Sequence, residues 1–116
     1  MIFGHIEIFV KDPLKSKDIY CDILGFQIKD IQQNKYVWLK NDQIELLLRP
    51  KNKDIKIDSY QDTNIALVFY TDNLNETVNE LRSKGVIFKG TDLSEKCLTF
   101  TDPDGNWFQL VNPNDH

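Results

Sequence analysis

The sequence predicts an α+β fold built from two copies of one βαβββ unit, and three observations carry that prediction. Two helical stretches each end at a glycine, and these glycines, Gly25 and Gly85, lie 60 positions apart. The residues that would cap the helix starts, Asp12 and Asn73, lie 61 apart. Short runs rich in β-branched and aromatic residues flank both helices in the same order, with turn residues between them.

Each element of the first half follows from its residues. Ile2–Val10 suits a pleated strand. Asp12 can cap the helix that follows, and Pro13 fits its first turn because the missing N–H costs nothing there. Leu14, Ile19, Tyr20, Ile23 and Leu24 recur at near-helical spacing, and Gly25 can take the left-handed conformation that ends a helix. Phe26–Ile31, Tyr36–Leu39 and Ile44–Leu48 read as short strands, with turns at Asn34 and at Asn41-Asp42.

The second half repeats the order. Asn64–Tyr70 reads as an apolar strand. Asn73, with Glu76 three residues on, resembles a capping box. Val78 and Leu81 give the helix its apolar stripe. Val86–Phe88 and Lys96–Thr101 read as strands, Asp102-Pro103-Asp104-Gly105 as a turn, and Asn106–Val111 as the closing strand. The expected organisation is one domain over residues 1–116, with module one at 1–49, a polar connecting segment at 50–63 and module two at 64–113. The connecting segment, rich in lysine and without periodicity, reads as a solvated linker. His116 is expected to fray.

Composition narrows the function classes. A net charge of −4, with only Arg49 and Arg82 as arginines, offers no basic face for nucleic acid. No apolar run of about 18 residues is present to span a membrane. Cys21 and Cys97 stand alone and form no zinc or disulfide pattern, so a reduced, cytoplasmic protein is expected. No Gly-rich phosphate loop, G-x-S-x-G or C-x-x-C motif occurs.

Three segments resemble a known family. His5-Ile6-Glu7-Ile8-Phe9-Val10-Lys11-Asp12 looks like the opening strand of the vicinal oxygen chelate superfamily, the glyoxalase/bleomycin resistance protein/dioxygenase group. Ile19-Tyr20-Cys21-Asp22-Ile23-Leu24-Gly25-Phe26 resembles its helix-to-strand signature. Thr101-Asp102-Pro103-Asp104-Gly105-Asn106-Trp107-Phe108-Gln109-Leu110 resembles its closing segment. The resemblance implies that the two modules form a cupped mixed sheet with helices outside. It also implies a homodimer, and a small-molecule ligand held in the cup.

In metal-dependent members, a first-strand and a last-strand residue of each unit hold a divalent ion. Carried onto this sequence, the first unit offers His5 and Glu45, whose nitrogen and oxygen donors suit Zn, Ni, Mn, Co or Fe. The second unit departs from the pattern, with Ala66 at the first position and Gln109, a weaker ligand, at the second. The expected metal set is therefore His5, Glu45 and Gln109, or no metal at all. His5 and Glu45 read equally as a hydrogen-bonded pair that faces a ligand directly. Glu45 is also the candidate catalytic group, and Glu7 shares the His5 face. Phe9, Arg49, Tyr70 and Trp107 fall on the faces of these positions and join His5, Glu45 and Gln109 as candidate ligand-binding residues. Each of the aromatics reads also as core or interface, and Arg49 as a surface ion pair.

Two functions compete. One is a small-molecule-binding protein with a degenerate metal site, resembling the bleomycin-resistance branch, which sequesters or acts on its ligand. The other is a metal-dependent lyase, isomerase or thiol transferase resembling glyoxalase I or the fosfomycin-resistance enzymes. Catalysis stays open; if the domain is an enzyme, a glyoxalase-like lyase is expected.

Overall fold

The computed structural model describes residues 1–94 and 96–115, and the expectation for His116 lies outside them. Chain contacts divide the protein into a unit of Met1–Asp54 and a second unit that begins at Ile55.

The first unit runs β1 (Ile6–Val10), α1 (Pro13–Asp22), β2 (Gln27–Gln32), β3 (Tyr36–Asn41) and β4 (Ile44–Pro50). Its mixed sheet has the order β1-β4-β3-β2, with β1 parallel to β4 and the other pairs antiparallel. The Asp12 carboxylate accepts the Leu14 N–H at 3.1 Å, which caps α1 as the sequence predicts. Gly25 has φ +78 and lets the chain reverse, so that the Phe26 N–H reaches the Tyr20 carbonyl at 3.0 Å.

Strand alternation then builds the core. Ile8 and Val10 of β1, Val37 and Leu39 of β3, and Leu46 and Leu48 of β4 are buried with Tyr20, Leu24 and Phe26. These residues make one apolar layer between α1 and the sheet, and α1 packs on β2, β3 and β4.

The second unit runs β5 (Leu67–Tyr70), α2 (Leu74–Ser83), β6 (Cys97–Thr101) and β7 (Trp107–Val111). Its sheet order is β5-β7-β6, with β5 parallel and β6 antiparallel to β7. Asn73 caps α2 through its side-chain oxygen at 3.1 Å from the Glu76 N–H. Glu76 answers by accepting from the Asn73 side-chain amide, while the Asn73 backbone N–H goes to Thr71 Oγ1. The reciprocal bond is therefore not the one a strict capping box makes. Phe69, Phe108, Phe100 and Phe88 form a chain of ring contacts in this unit.

Four expectations need correction. The strand expected at Val86–Phe88 is absent among the described residues. Residues 89–92 run along β6 instead, with Lys89 N–H to Thr99 O at 2.7 Å and Thr99 N–H to Gly90 O at 3.0 Å. Two residues thus face one, and Gly90 at φ +92 breaks the regular ladder. The strand expected at Asn64–Tyr70 begins only at Leu67, whose partner Phe108 lies beside the first residue of β7. The opening strand is likewise shorter than Ile2–Val10, with Ile2 and Phe3 exposed ahead of Ile6. The connecting segment is not uniformly solvated: Tyr60–Asp62 forms a 3₁₀ turn and belongs with the second unit.

Among the described residues no helix is long and apolar enough to cross a membrane. Leu48 lies at full burial in the first-unit core. Its substitution L48A is expected to cost about 2–5 kcal/mol, from lost transfer energy plus the cavity left behind, measured as a lower urea midpoint at unchanged slope.

Candidate functional site

The residues that alternate away from the first-unit core share the open face of its sheet. In the β1–β4 register Glu7 stands opposite Leu47 and Phe9 opposite Arg49. In the β3–β4 register Lys40 stands opposite Glu45 and Trp38 opposite Leu47. His5 lies just ahead of β1 on the Glu7 side. A hollow of about 320 Å³ on this face is lined by Gly4, His5, Lys29, Asp30, Gln32, Trp38 and Glu45.

Two of the predicted residues, His5 and Glu45, meet in that hollow, yet they do not pair with each other. His5 Nε2 contacts Glu7 Oε2 at 2.9 Å. Arg49 Nη1 donates to the other oxygen of Glu7 at 2.8 Å, and its guanidinium lies 5.3 Å from the Tyr36 ring centroid. Glu45 accepts from Lys29 Nζ at 2.5 Å. The His5 and Trp38 rings meet edge to face at 4.5 Å, and the Trp38 indole N–H donates to Gln32 Oε1 at 3.0 Å. Phe9 is half-exposed.

Lys29 reaches Glu45 because β2 carries a bulge. Ile28 pairs with Leu39 but Asp30 pairs with Trp38, leaving Lys29 as the extra residue. In a regular strand Lys29 and Asp30 would point to opposite faces; with the bulge both line the hollow. Sequence reading missed Lys29 and gave Glu7 no partner. The signals were faint: a lysine in an exposed strand, and a second carboxylate two positions from His5.

The electrostatics follow from these pairs. Arg49 first, then His5, holds the Glu7 carboxyl below the usual glutamate range. Lys29 does the same for Glu45. A carboxylate kept ionised by an adjacent ammonium is a weak proton acceptor, which counts against Glu45 as a general base in this arrangement. A divalent ion also fits poorly. Each carboxylate already neutralises a cation, so an ion would have to displace Lys29 or stand beside Arg49. Among the described residues no three His, Cys, Asp or Glu side chains gather in a metal-binding group, and no buried side-chain nitrogen or oxygen is left without a hydrogen bond.

The other predicted residues belong to the second unit. Trp107 is buried; its indole N–H donates to the Ile57 carbonyl at 2.8 Å, and Tyr60 packs edge-on against it at 6.1 Å. Gln109 is buried too, and its amide nitrogen donates to Asp92 Oδ2 at 2.6 Å. Asp92 is a partner the sequence reading did not single out. Tyr70 is exposed and borders a shallow hollow with Thr71, Asp72, Asn112, Pro113 and Asn114. Neither Cys21 nor Cys97 is held in a disulfide, and burial pushes each thiol pKa up, which fits inert cysteines.

Comparison with known proteins agrees with this architecture. A family model described as "Glyoxalase/Bleomycin resistance protein/Dioxygenase superfamily" matches residues 2–110. A genomically encoded fosfomycin resistance protein, FosX, from Listeria monocytogenes superposes with a TM-score of 0.74 at 18% identity, covering 97% of this chain and 92% of that one. A lactoylglutathione lyase from Agrobacterium tumefaciens gives 0.72 at 14% identity, covering 97% and 93%. A glyoxalase/bleomycin resistance protein/dioxygenase superfamily member from Sphaerobacter thermophilus gives 0.67 at 25% identity, covering 96% and 98%. No curated protein sequence matches the chain.

The ion pairs make a pH-dependent prediction. A carboxyl whose folded-state pKa is depressed contributes stability that is fully present above its unfolded value and is lost as pH falls through the folded one. Arg49→Met is therefore expected to move the Glu7 titration upward and to shrink that acid-side dependence. Side-chain carboxyl NMR titration reads both; a Glu7 midpoint that stays where it was would contradict the pairing.

Proposed function

Because the chain belongs to the glyoxalase/bleomycin resistance protein/dioxygenase superfamily, we propose that it binds a small molecule on the open face of its first unit without using a divalent metal. One observation carries this reading: the two glutamates on that face, Glu7 and Glu45, are ion-paired to Arg49 and Lys29, while Asp30 at the rim of the hollow accepts the Ile31 N–H. The hollow then offers a polar floor whose glutamates are already paired and one aromatic wall, Trp38 with His5 against it. Such a surface suits a polar ligand with a flat ring, which gains contact area on the indole while the paired charges set its orientation.

His5, Glu45, Arg49 and Phe9 are the ligand-facing residues proposed in this unit. Tyr70, Trp107 and Gln109 are the corresponding residues of the second. The role is sequestration, as in the bleomycin-resistance branch that the sequence resembles. A homodimer of a cytoplasmic protein belongs to the same proposal. Cys21 and Cys97 are not joined in a disulfide, which supports a reducing compartment.

A metal-dependent lyase, isomerase or thiol transferase is the competing reading, favoured by His5 and Glu45 lining one hollow. Metal analysis of protein purified without chelator separates the two. The expected outcome is far less than one transition ion per chain, with Trp38 emission responding to flat aromatic amides and the response weakened in His5→Ala. A stoichiometric ion that disappears in His5→Ala would replace the binding protein with the enzyme.

A further inference from the structure

The face of the second-unit sheet that carries Trp107 and Gln109 is covered from within its own unit. Along β7 Trp107, Gln109 and Val111 alternate away from Phe108 and Leu110, and Thr99 of β6 stands opposite Gln109. Over this face passes the segment 57–62. Ile57 gives its carbonyl to the Trp107 indole N–H, Tyr60 lays its ring edge-on against the same indole, and Gln61 Nε2 donates to the Thr91 carbonyl at 3.0 Å.

At its near end the segment packs closely on the Asp102 turn, where a Cβ built on Gly105 would lie 3.0 Å from the Lys56 Cβ. Beyond that contact the strap is thinly held. Its turn is held by short-range bonds, Asp62 N–H to Ser59 O, Thr63 N–H to Tyr60 O and Ser59 Oγ to Asp62 Oδ2, and Ile57, Asp58, Gln61 and Asp62 are exposed. Segments with few buried contacts and short-range hydrogen bonds open at lower free energy than the core.

From this geometry we infer that residues 57–62 are a displaceable strap acting as a built-in ligand, and that the second unit holds a latent binding site for an aromatic compound bearing an amide or carbonyl acceptor. The strap itself defines the class: it presents one ring to the edge of Trp107 and one carbonyl to the indole N–H. Any ligand that reaches Trp107 must supply both, since losing the carbonyl would leave a buried donor unpaired. The Gln109–Asp92 pair beside it supplies a fixed polar boundary. Burial, and then the charge of Asp92, raise the Tyr60 phenol pKa, so the ring enters this site as the neutral phenol.

The inference rests on the ligand-facing assignment of Trp107 and Gln109 made above, and its test reads the second unit alone. Tyr60→Ala should vacate the slot, as cavities lined by apolar groups accept small rings. N-acetyl-L-tyrosinamide is the probe, and the indole ¹⁵N–¹H resonance of Trp107, assigned against Trp38→Phe, is the readout. Full-length Tyr60→Ala should bind the probe about tenfold more tightly than the parent chain, because the Tyr60 ring no longer competes for the indole edge. A folded Tyr60→Ala that leaves the Trp107 resonance unmoved, or that binds no better than the parent, overturns the site.

Native-state hydrogen exchange on the unsubstituted chain keeps the test open should Tyr60→Ala not fold. The Trp107 indole N–H and the Asp62 and Thr63 amides should exchange about tenfold or more faster than the Phe108 and Leu110 amides. Exchange of all of them together would overturn the strap. A response at Trp38 with none at Trp107 sinks this inference and leaves the first-unit reading standing; the reverse pattern does the opposite.

Discussion

In the first unit β1 and β4 lie side by side and parallel, with Ile6 opposite Leu46 and Ile8 opposite Leu48, and the layout of the site depends on that register. Because side chains alternate at a period of two, fixing Leu46 and Leu48 against α1 fixes Glu45 and Arg49 on the other face. The same step sends Glu7 and Phe9 outward from β1. A slip of β4 by one residue would bury Glu45 and Arg49 and expose Leu46 and Leu48. The apolar layer, built from full-burial residues on three strands, therefore holds the polar face in place without touching it.

On that face both glutamates are ion-paired. Glu7 lies between Arg49 and His5, and Glu45 accepts from Lys29. Exposed ion pairs of this kind contribute little to stability, typically about 0–1 kcal/mol. Their importance is chemical. They decide which oxygen atoms remain open to a ligand, and they set the carboxylates in the ionised form with a cation already attached. A metal ion at Glu45 would have to compete with Lys29 for that carboxylate.

Much of this was legible in the sequence. Asp12, Pro13 and Gly25 announced α1 because caps and left-handed glycines act within a few residues, and such local chemistry is written locally. The Asp102 turn was equally plain; its carboxylate gathers the Asp104 and Asn106 amides, both close in sequence. The family resemblance singled out His5 and Glu45, alternation along β4 set the face of Glu45, and both line the hollow. What escaped depended on distant pairings. Lys29 joins Glu45 only because β2 bulges against β3, and no local signal marks a bulge. Asp92 meets Gln109 because residues 89–92 follow β6 irregularly. The segment around Tyr60 looked like an open linker because its partner, Trp107, is far along the chain.

The bulge in β2 has a second consequence. β2 ends the order β1-β4-β3-β2 within its sheet, and all six of its residues are exposed, among them Ile28 and Ile31. A flat outermost strand with such side chains would template the addition of strands from other molecules, the first step toward aggregates. A bulge and inward-reaching charges are the devices that blunt such an edge. The residue that neutralises Glu45 thus also protects the chain from indiscriminate self-association, so a substitution at Lys29 would be felt in solubility as well as in the hollow.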